Sequence, residues 1–166
     1  MSQASHRNAL ETASALHRFN RYEIKYLLPR ELLERFRVRL SERMQKDPHQ
    51  VVPTRITSLY YDTPGLSFYW EKIDGLRFRR KLRIRVYGPP EAVTDATTVY
   101  VEIKQRVNRV TQKRRVSLPY AAARSLCDQR ETLGNGAFIS EVLTLCHSMD
   151  LRPIAVTTYF RDGYMG

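Results

Sequence analysis

The chain has 166 residues, of which 42% are hydrophobic and 10% aromatic; this excludes a disordered chain and fits one domain with a buried core. Its 28 Lys and Arg against 17 Asp and Glu leave a net charge of +11, which favours an anionic partner such as a phosphate chain, a nucleotide, nucleic acid or an acidic membrane. No stretch approaches the ~20 apolar residues of a membrane span, and no secretory signal is visible at the N-terminus. The two cysteines, Cys127 and Cys146, have no metal-ligand spacing and are interpreted as buried thiols, so a soluble cytoplasmic protein is expected.

The N-terminal part divides into an arm and the start of a folded domain. Residues 1–18 are polar and predict a flexible arm, and the folded domain is predicted over residues 19–166. From residue 19 onwards charged and apolar residues alternate, which predicts a first strand. In that strand Glu23 and Lys25 share a face with Arg21.

The remaining elements follow from periodicity and turn residues. Pro29 begins an amphipathic helix that ends before Asp47-Pro48. Further strands are predicted at Ile56–Tyr61, Arg79–Tyr87, Val99–Gln105, Val110–Leu118 and Ile154–Arg161. Further helices are predicted at Leu66–Ile73, after Pro119 around residues 120–126, and over residues 138–149. The order of elements predicts an α+β fold with an antiparallel sheet.

The strands share a division into a charged face and an apolar face. Successive side chains of a strand point to opposite sides, so the charged residues of each strand collect on one side. The residues assigned to this side are Lys25, Lys81, Arg83, Arg85, Glu102, Lys104, Lys113, Arg115, Tyr159 and Arg161. Amphipathic helices need an apolar partner, so they are expected to cover the opposite faces of the strands.

Two arrangements of the charged faces are open at this point. An open antiparallel sheet commonly leaves one face in solvent, and the charged side chains would then be a solvated surface. A sheet curled into a barrel would instead enclose a basic lumen, where a polyanion would relieve the cost of crowding like charges. In such a lumen Glu23 and Glu102 either pair with neighbouring cations or hold a hard divalent cation.

Six segments together resemble the VTC domain of polyphosphate polymerases, within the CYTH or triphosphate tunnel metalloenzyme superfamily. They are R-Y-E-I-K-Y at 21–26, S-L-Y-Y-D-T-P at 58–64, R-I-R-V-Y-G at 83–88, V-E-I-K at 101–104, K-R-R at 113–115 and R-P-I-A-V-T-T-Y-F-R at 152–161. The resemblance implies an antiparallel β-barrel, a triphosphate tunnel with helices outside. It also implies transfer of the terminal phosphate of ATP or another nucleoside triphosphate to polyphosphate, with Mn or Mg as divalent metal.

The resemblance also implies residue roles. It matches Lys25, Arg83, Arg85, Lys104, Lys113 and Arg161 to Lys and Arg positions of the family. Together with the charged strand faces, this gives the expected site: Lys25, Arg83, Arg85 and Arg161 as catalytic residues, Lys81, Lys104, Lys113, Arg115 and Tyr159 as substrate-binding residues, and Glu23 and Glu102 as metal ligands. This chemistry suits the residues because phosphoryl transfer needs mainly positioning and charge neutralisation.

The chain departs from the family pattern in two ways. The related triphosphatases open with E-x-E-x-K, but Arg21 occupies the first of these positions, which favours the polymerase-like branch. The chain also stops at Gly166, before the strands that carry a late metal-binding glutamate and C-terminal lysines in the family. An incomplete barrel is therefore expected: a fragment, a degenerate member, or a chain completed by a homo-oligomer or a partner chain.

Three alternatives to a polymerase stay open. A non-catalytic polyphosphate- or nucleotide-binding module would bind without turnover, and a triphosphatase would release phosphate without chain growth. Nucleic-acid binding would require aromatic side chains on the basic faces for base stacking. Tyr22 and Tyr26 lie opposite the basic residues of their strand, so nucleic acid is not the expected partner.

Overall fold

The structure, a computed structural model, describes residues 24–48, 53–132 and 134–166. Its centre is a five-stranded antiparallel sheet with the strand order β5-β4-β3-β2-β6. The strands are β2 (Thr54–Asp62), β3 (Phe78–Tyr87), β4 (Thr98–Val107), β5 (Val110–Pro119) and β6 (Arg152–Arg161). A separate two-stranded ladder joins β1 (Gln45–Lys46) to β7 (Tyr164–Met165). The predicted α+β class with an antiparallel sheet is confirmed; over the described residues the sheet is open, as an incomplete barrel would be.

Among the described residues, four α-helices accompany the strands: α1 (Leu33–Arg43), α2 (Ser67–Ile73), α3 (Tyr120–Arg124) and α4 (Ala137–Ser148). A 3-10 turn (Arg30–Leu32) precedes α1, and another (Pro90–Ala92) lies between β3 and β4. A π-helical turn (Ser125–Gln129) extends α3. Asp62, in the S-L-Y-Y-D-T-P segment, starts α2 because its carboxylate accepts the backbone N–H groups of Phe68 at 2.9 Å and Tyr69 at 3.0 Å. Asp62 of this segment therefore has a structural role, because its carboxylate fixes the start of α2.

The hydrophobic core lies on one side of the sheet, which we call the apolar face. Leu82, Ile84, Val99, Val101, Ile103 and Val116 project from β3, β4 and β5 against Leu126, Ile139, Val142 and Leu145 from the helical layer. Most of these side chains have no more than 4% of their surface exposed, so the burial of apolar area stabilises this layer at roughly 25 cal/mol per Å². Cys127 and Cys146 are free and buried in the same core, as expected.

The hairpin between β4 and β5 is tighter than the sequence predicted. The two strands stay paired from Thr98↔Pro119 to Val107↔Val110, so only two residues form the turn. Asn108, the first of them, has a φ of 54°, a left-handed conformation that Asn tolerates. The lengthened ladder carries Arg106 as an additional paired residue.

Two predictions from the N-terminal part need correction. The first strand was expected to reach residue 26, but residues 24–29 belong to no strand, whereas residues 1–23 lie outside the described part of the chain. Alternation alone cannot form a strand, because a strand also needs a neighbour for its backbone N–H and C=O groups. Helix α1 was expected to pack on the sheet, yet it has no buried residue, and Phe36 and Val38 are exposed.

Candidate functional site

The side of the sheet opposite the core gathers the predicted basic residues. We call it the cationic face and define it by Lys81, Arg83 and Arg85 of β3, Lys104 of β4, and Lys113 and Arg115 of β5. Directly opposed residues of antiparallel strands project to the same side, and the register therefore arranges this face in rows. One row is Lys81↔Lys104↔Lys113, and the next is Tyr60↔Arg83↔Glu102↔Arg115. The third row contains Ser58↔Arg85↔Tyr100↔Ser117.

The middle row is organised around a buried carboxylate. Glu102 has no exposed surface; its Oε2 accepts a hydrogen bond from Arg83 Nε at 2.8 Å and forms an ion pair with Arg83 Nη2 at 2.7 Å. Its Oε1 lies 2.8 Å from Lys113 Nζ, and Arg85 Nη1 lies 3.8 Å from Oε2. Burial alone would raise the pKa of the Glu102 carboxyl, but Lys113 and Arg83 outweigh it, so the pKa lies below its ordinary value.

Tyrosines are interleaved with the cations. The hydroxyl of Tyr60 accepts a hydrogen bond from Arg83 Nη1 at 2.9 Å, and the guanidinium of Arg83 lies 5.7 Å from the Tyr60 ring centroid. Arg115 lies over the Tyr100 ring at 4.7 Å, and Tyr87 meets the same ring edge-on at 5.5 Å. Aromatic side chains thus do share a face with the cations of this sheet, contrary to the expectation drawn from Tyr22, which lies outside the described residues, and Tyr26. The Tyr100 ring is nevertheless already covered by a guanidinium, which leaves less of it for base stacking.

The lysine row is crowded with like charge. Burial and then the nearby Lys72 lower the pKa of Lys81; Tyr60 opposes them, the row partner Lys104 adds a smaller lowering, and Asp62 adds a still smaller opposing effect. A bound anion would relieve this repulsion. The row thus offers point charges to an anion beside the more rigid guanidinium groups of the middle row.

Other predicted site residues lie away from this cluster. Tyr159 and Arg161 belong to β6, at the other edge of the sheet, where they pair with Ile56 and Thr54. Arg161 is two strands and two rows from Arg85, about 17 Å at ~4.8 Å per strand and ~6.8 Å per row. Lys25 is exposed and belongs to no strand, so the strand position predicted for it is wrong, and Glu23 lies outside the described residues.

The surroundings of Glu102 do not fit a divalent metal. A hard cation such as Mg²⁺ or Mn²⁺ takes about six oxygen ligands, several of them from carboxylates, phosphates or water. Within residues 24–48, 53–132 and 134–166, no group of three or more Asp, Glu, His or Cys side chains could hold a metal ion. The carboxylate of Glu102 instead faces Arg83, Arg85 and Lys113.

The sequence reasoning missed four polar residues of this side of the sheet. Arg79 and Arg106 are paired and continue the cationic face by one row beyond the lysines, and Tyr60 and Ser58 contact the two arginines. Arg79 begins the predicted strand Arg79–Tyr87 and has the same strand parity as Lys81, so parity alone would have assigned it to this face. Arg106 has the same parity as Lys104 and lies one residue beyond the predicted end of its strand at Gln105. The contribution of Ser58 and Tyr60 depends on the register with β3, which a single strand does not reveal.

The apolar face has polar contacts of its own at its margin. Arg114 projects to this side and forms a two-pronged ion pair with Glu141 of α4. Tyr61 donates a hydrogen bond of 2.6 Å to Asp128, and burial together with this bond raises the pKa of its hydroxyl. These contacts join the helical layer to the sheet and do not face the cationic side.

The fold and the cationic face define the class: an α+β protein with an open antiparallel sheet, covered on one side by helices and lined with Lys and Arg on the other. Residues 20–166 match the family model of the VTC domain, so the chain belongs to the VTC domain family, which is related to polyphosphate polymerases. A comparison with curated proteins found no match. Of the helices that the structure describes, none is long and apolar enough to cross a membrane.

Proposed function

We propose that the chain acts as a polyphosphate polymerase-like phosphotransferase, moving the terminal phosphate of ATP or another nucleoside triphosphate to a polyphosphate chain. The observation that carries the proposal is the alignment of six Lys and Arg in adjacent rows on one face of β3, β4 and β5. A linear polyanion fits such rows because successive charged groups meet successive cations. Membership of the VTC domain family supports the phosphate chain over other polyanions.

The cations would act by positioning and neutralisation. Arg83 and Arg85 have planar guanidinium groups that match the oxygens of a phosphate, whereas Lys81, Lys104 and Lys113 supply compact charges. Phosphoryl transfer spreads negative charge over the oxygens of the transferred group, so fixed cations lower the energy of the transition state. A protein nucleophile is not needed. The divalent metal, Mn or Mg, is expected from the family and is assigned to none of the described residues.

The direct test is synthesis by the purified protein. The chain is incubated with ATP, a short polyphosphate primer and Mn²⁺ or Mg²⁺, and the products are separated by length on a gel. We expect chains longer than the primer, and roughly tenfold less product with Lys104→Ala because an exposed cation of the lysine row is lost. A Glu42→Gln variant on α1 is the control and keeps the activity. No elongation under any of these conditions would contradict the polymerase.

The same reactions distinguish the alternatives. Free phosphate without longer chains indicates a triphosphatase, and saturable binding of polyphosphate without any product indicates a binding module. Because tyrosines are interleaved with the cations, competition between polyphosphate and single-stranded RNA is measured as well. Tighter binding of RNA than of polyphosphate would reverse the proposed choice of partner.

A further inference from the structure

Glu102 is the carboxylate at the centre of the cationic face, and its position is unusual for a surface that attracts anions. It has no exposed surface, while the side chains of Arg83 and Arg85 are only 14% and 8% exposed. Buried cations need a counter-charge, because the protein interior solvates them poorly. Glu102 supplies that counter-charge to three cations at once.

The contacts fix the orientation of Arg83 in particular. Glu102 Oε2 accepts a hydrogen bond from Nε at 2.8 Å and forms an ion pair with Nη2 at 2.7 Å, and the Tyr60 hydroxyl accepts from Nη1 at 2.9 Å. Two of the five N–H donors of the guanidinium are thus hydrogen-bonded, and N–H groups of Nη1 and Nη2 remain for a phosphate. Arg85 is held from the next row, where its Nε donates to Ser58 Oγ at 3.1 Å. The two arginines therefore present a defined pair of positions without further ordering.

We propose that Glu102 is a positioning residue of the phosphate site: it holds Arg83, Arg85 and Lys113 at the spacing that a phosphate chain requires, and it binds no metal. This inference rests on the proposed function. The opposing interpretation is that Glu102 is a competing negative charge, which a polyanion must displace from the cations. The two interpretations predict effects of opposite sign on affinity.

Two substitutions separate charge from position. Glu102→Gln removes the negative charge. If Glu102 competes with the polyanion, this variant binds polyphosphate more tightly than the unaltered chain. If Glu102 is a positioning residue, the variant binds polyphosphate more weakly. Glu102→Asp keeps the net charge but shortens the side chain by one methylene, so its carboxylate no longer reaches Arg83 and Lys113 together. A positioning role predicts binding about tenfold weaker for both variants, because the competent arrangement of cations is less populated. Glu141→Gln, which makes the same charge change on the apolar face, is the control and binds as the unaltered chain does.

The salt dependence of binding gives a readout that a loss of stability does not move. The slope of log affinity against log salt concentration reports how many cations are neutralised together by the polyanion. A positioning role predicts a shallower slope for Glu102→Gln despite its higher net charge, because the three cations no longer act at once. Binding by Glu102→Gln that equals or exceeds that of the unaltered chain, or binding by Glu102→Asp that equals it, would overturn the proposal.

A measurement on the unaltered chain covers the case in which these variants fail to fold. Nitrogen-15 spectra of the arginine side chains follow the Nε–H of Arg83 during a titration with polyphosphate. The proposal predicts that this N–H stays bonded and slow to exchange when the site is saturated. Release of the N–H on binding would show that phosphate displaces Glu102. That result would overturn the positioning role of Glu102 and leave the proposed function intact. Absence of any polyphosphate binding by the unaltered chain would overturn the proposed function together with the positioning role.

Discussion

Glu102 and Glu141 both form ion pairs with arginine on the same sheet, but on opposite faces and at different depths. Glu141 is 30% exposed at the edge of the helical layer and pairs with Arg114, which is also partly exposed. Glu102 is fully buried and contacts three cations on the cationic face. Partners of the two glutamates are neighbours in sequence, since Lys113 of β5 pairs with Glu102 and Arg114, the next residue, pairs with Glu141.

The difference shows that depth and number of partners decide what an ion pair contributes. A partly exposed pair competes with water and typically contributes 0–1 kcal/mol. A buried carboxylate is costly by itself, but once its cations are in place, removing it leaves several buried charges without compensation. On the apolar face, stability comes from packed side chains and the ion pair is an addition. On the cationic face, by contrast, the ion cluster around Glu102 is what holds the buried side chains in place.

The largest expected effect is on stability. Glu102→Ala should lower the free energy of unfolding by about 3–5 kcal/mol, because Arg83 and Arg85 are left buried without their counter-charge. Glu141→Ala, the matched variant on the apolar face, should cost less than about 1 kcal/mol. Urea unfolding followed by circular dichroism compares the two. Equal losses for the two variants would show that burial does not distinguish these ion pairs.

Acid should reproduce part of that loss. The folded pKa of Glu102 lies below the ordinary value of 4.5, so its stabilising contribution is fully present above pH 4.5 and is lost as the pH falls through the folded pKa. The effect is smaller than that of Glu102→Ala because a protonated carboxyl still fills its space and accepts hydrogen bonds. Thermal unfolding between pH 6 and pH 3 measures it. In Glu102→Gln the slope of stability against pH should be reduced relative to the unaltered chain, and an unchanged slope would contradict the assignment of this pH dependence to Glu102.

The sequence predicted the two faces well because each depends only on the period-two alternation within a strand. Lys81, Arg83, Lys104 and Lys113 were assigned to one side from parity alone, and the register unites them on one side. The helices after β5 were predicted from a different local pattern, since the apolar residues around Leu126 and Val142 repeat at helical spacing.

Pairing between distant strands was beyond the sequence pattern. The alternation around Lys25 resembles that of β3, yet residues 24–29 pair with no strand of the sheet. Nothing in a single strand indicates that β6 pairs with β2, and this pairing is what separates Arg161 from Arg85. The partners of Glu102 were uncertain for the same reason. Whether Glu102 pairs with cations or binds a metal depends on which residues of the neighbouring strands lie opposite it.

The smallest expected effect compares two adjacent arginines on opposite faces. Arg115→Ala and Arg114→Ala remove the same charge from neighbouring positions of β5, and each should change stability by no more than about 1 kcal/mol. Arg115 lies over Tyr100 on the cationic face, whereas Arg114 pairs with Glu141 on the apolar face. Polyphosphate binding should therefore weaken several-fold with Arg115→Ala and remain nearly unchanged with Arg114→Ala, as titration calorimetry at low salt would measure. If attraction depended only on the net charge of +11, the two variants would bind equally, because long-range charge does not distinguish the two sides of a sheet as thin as this one.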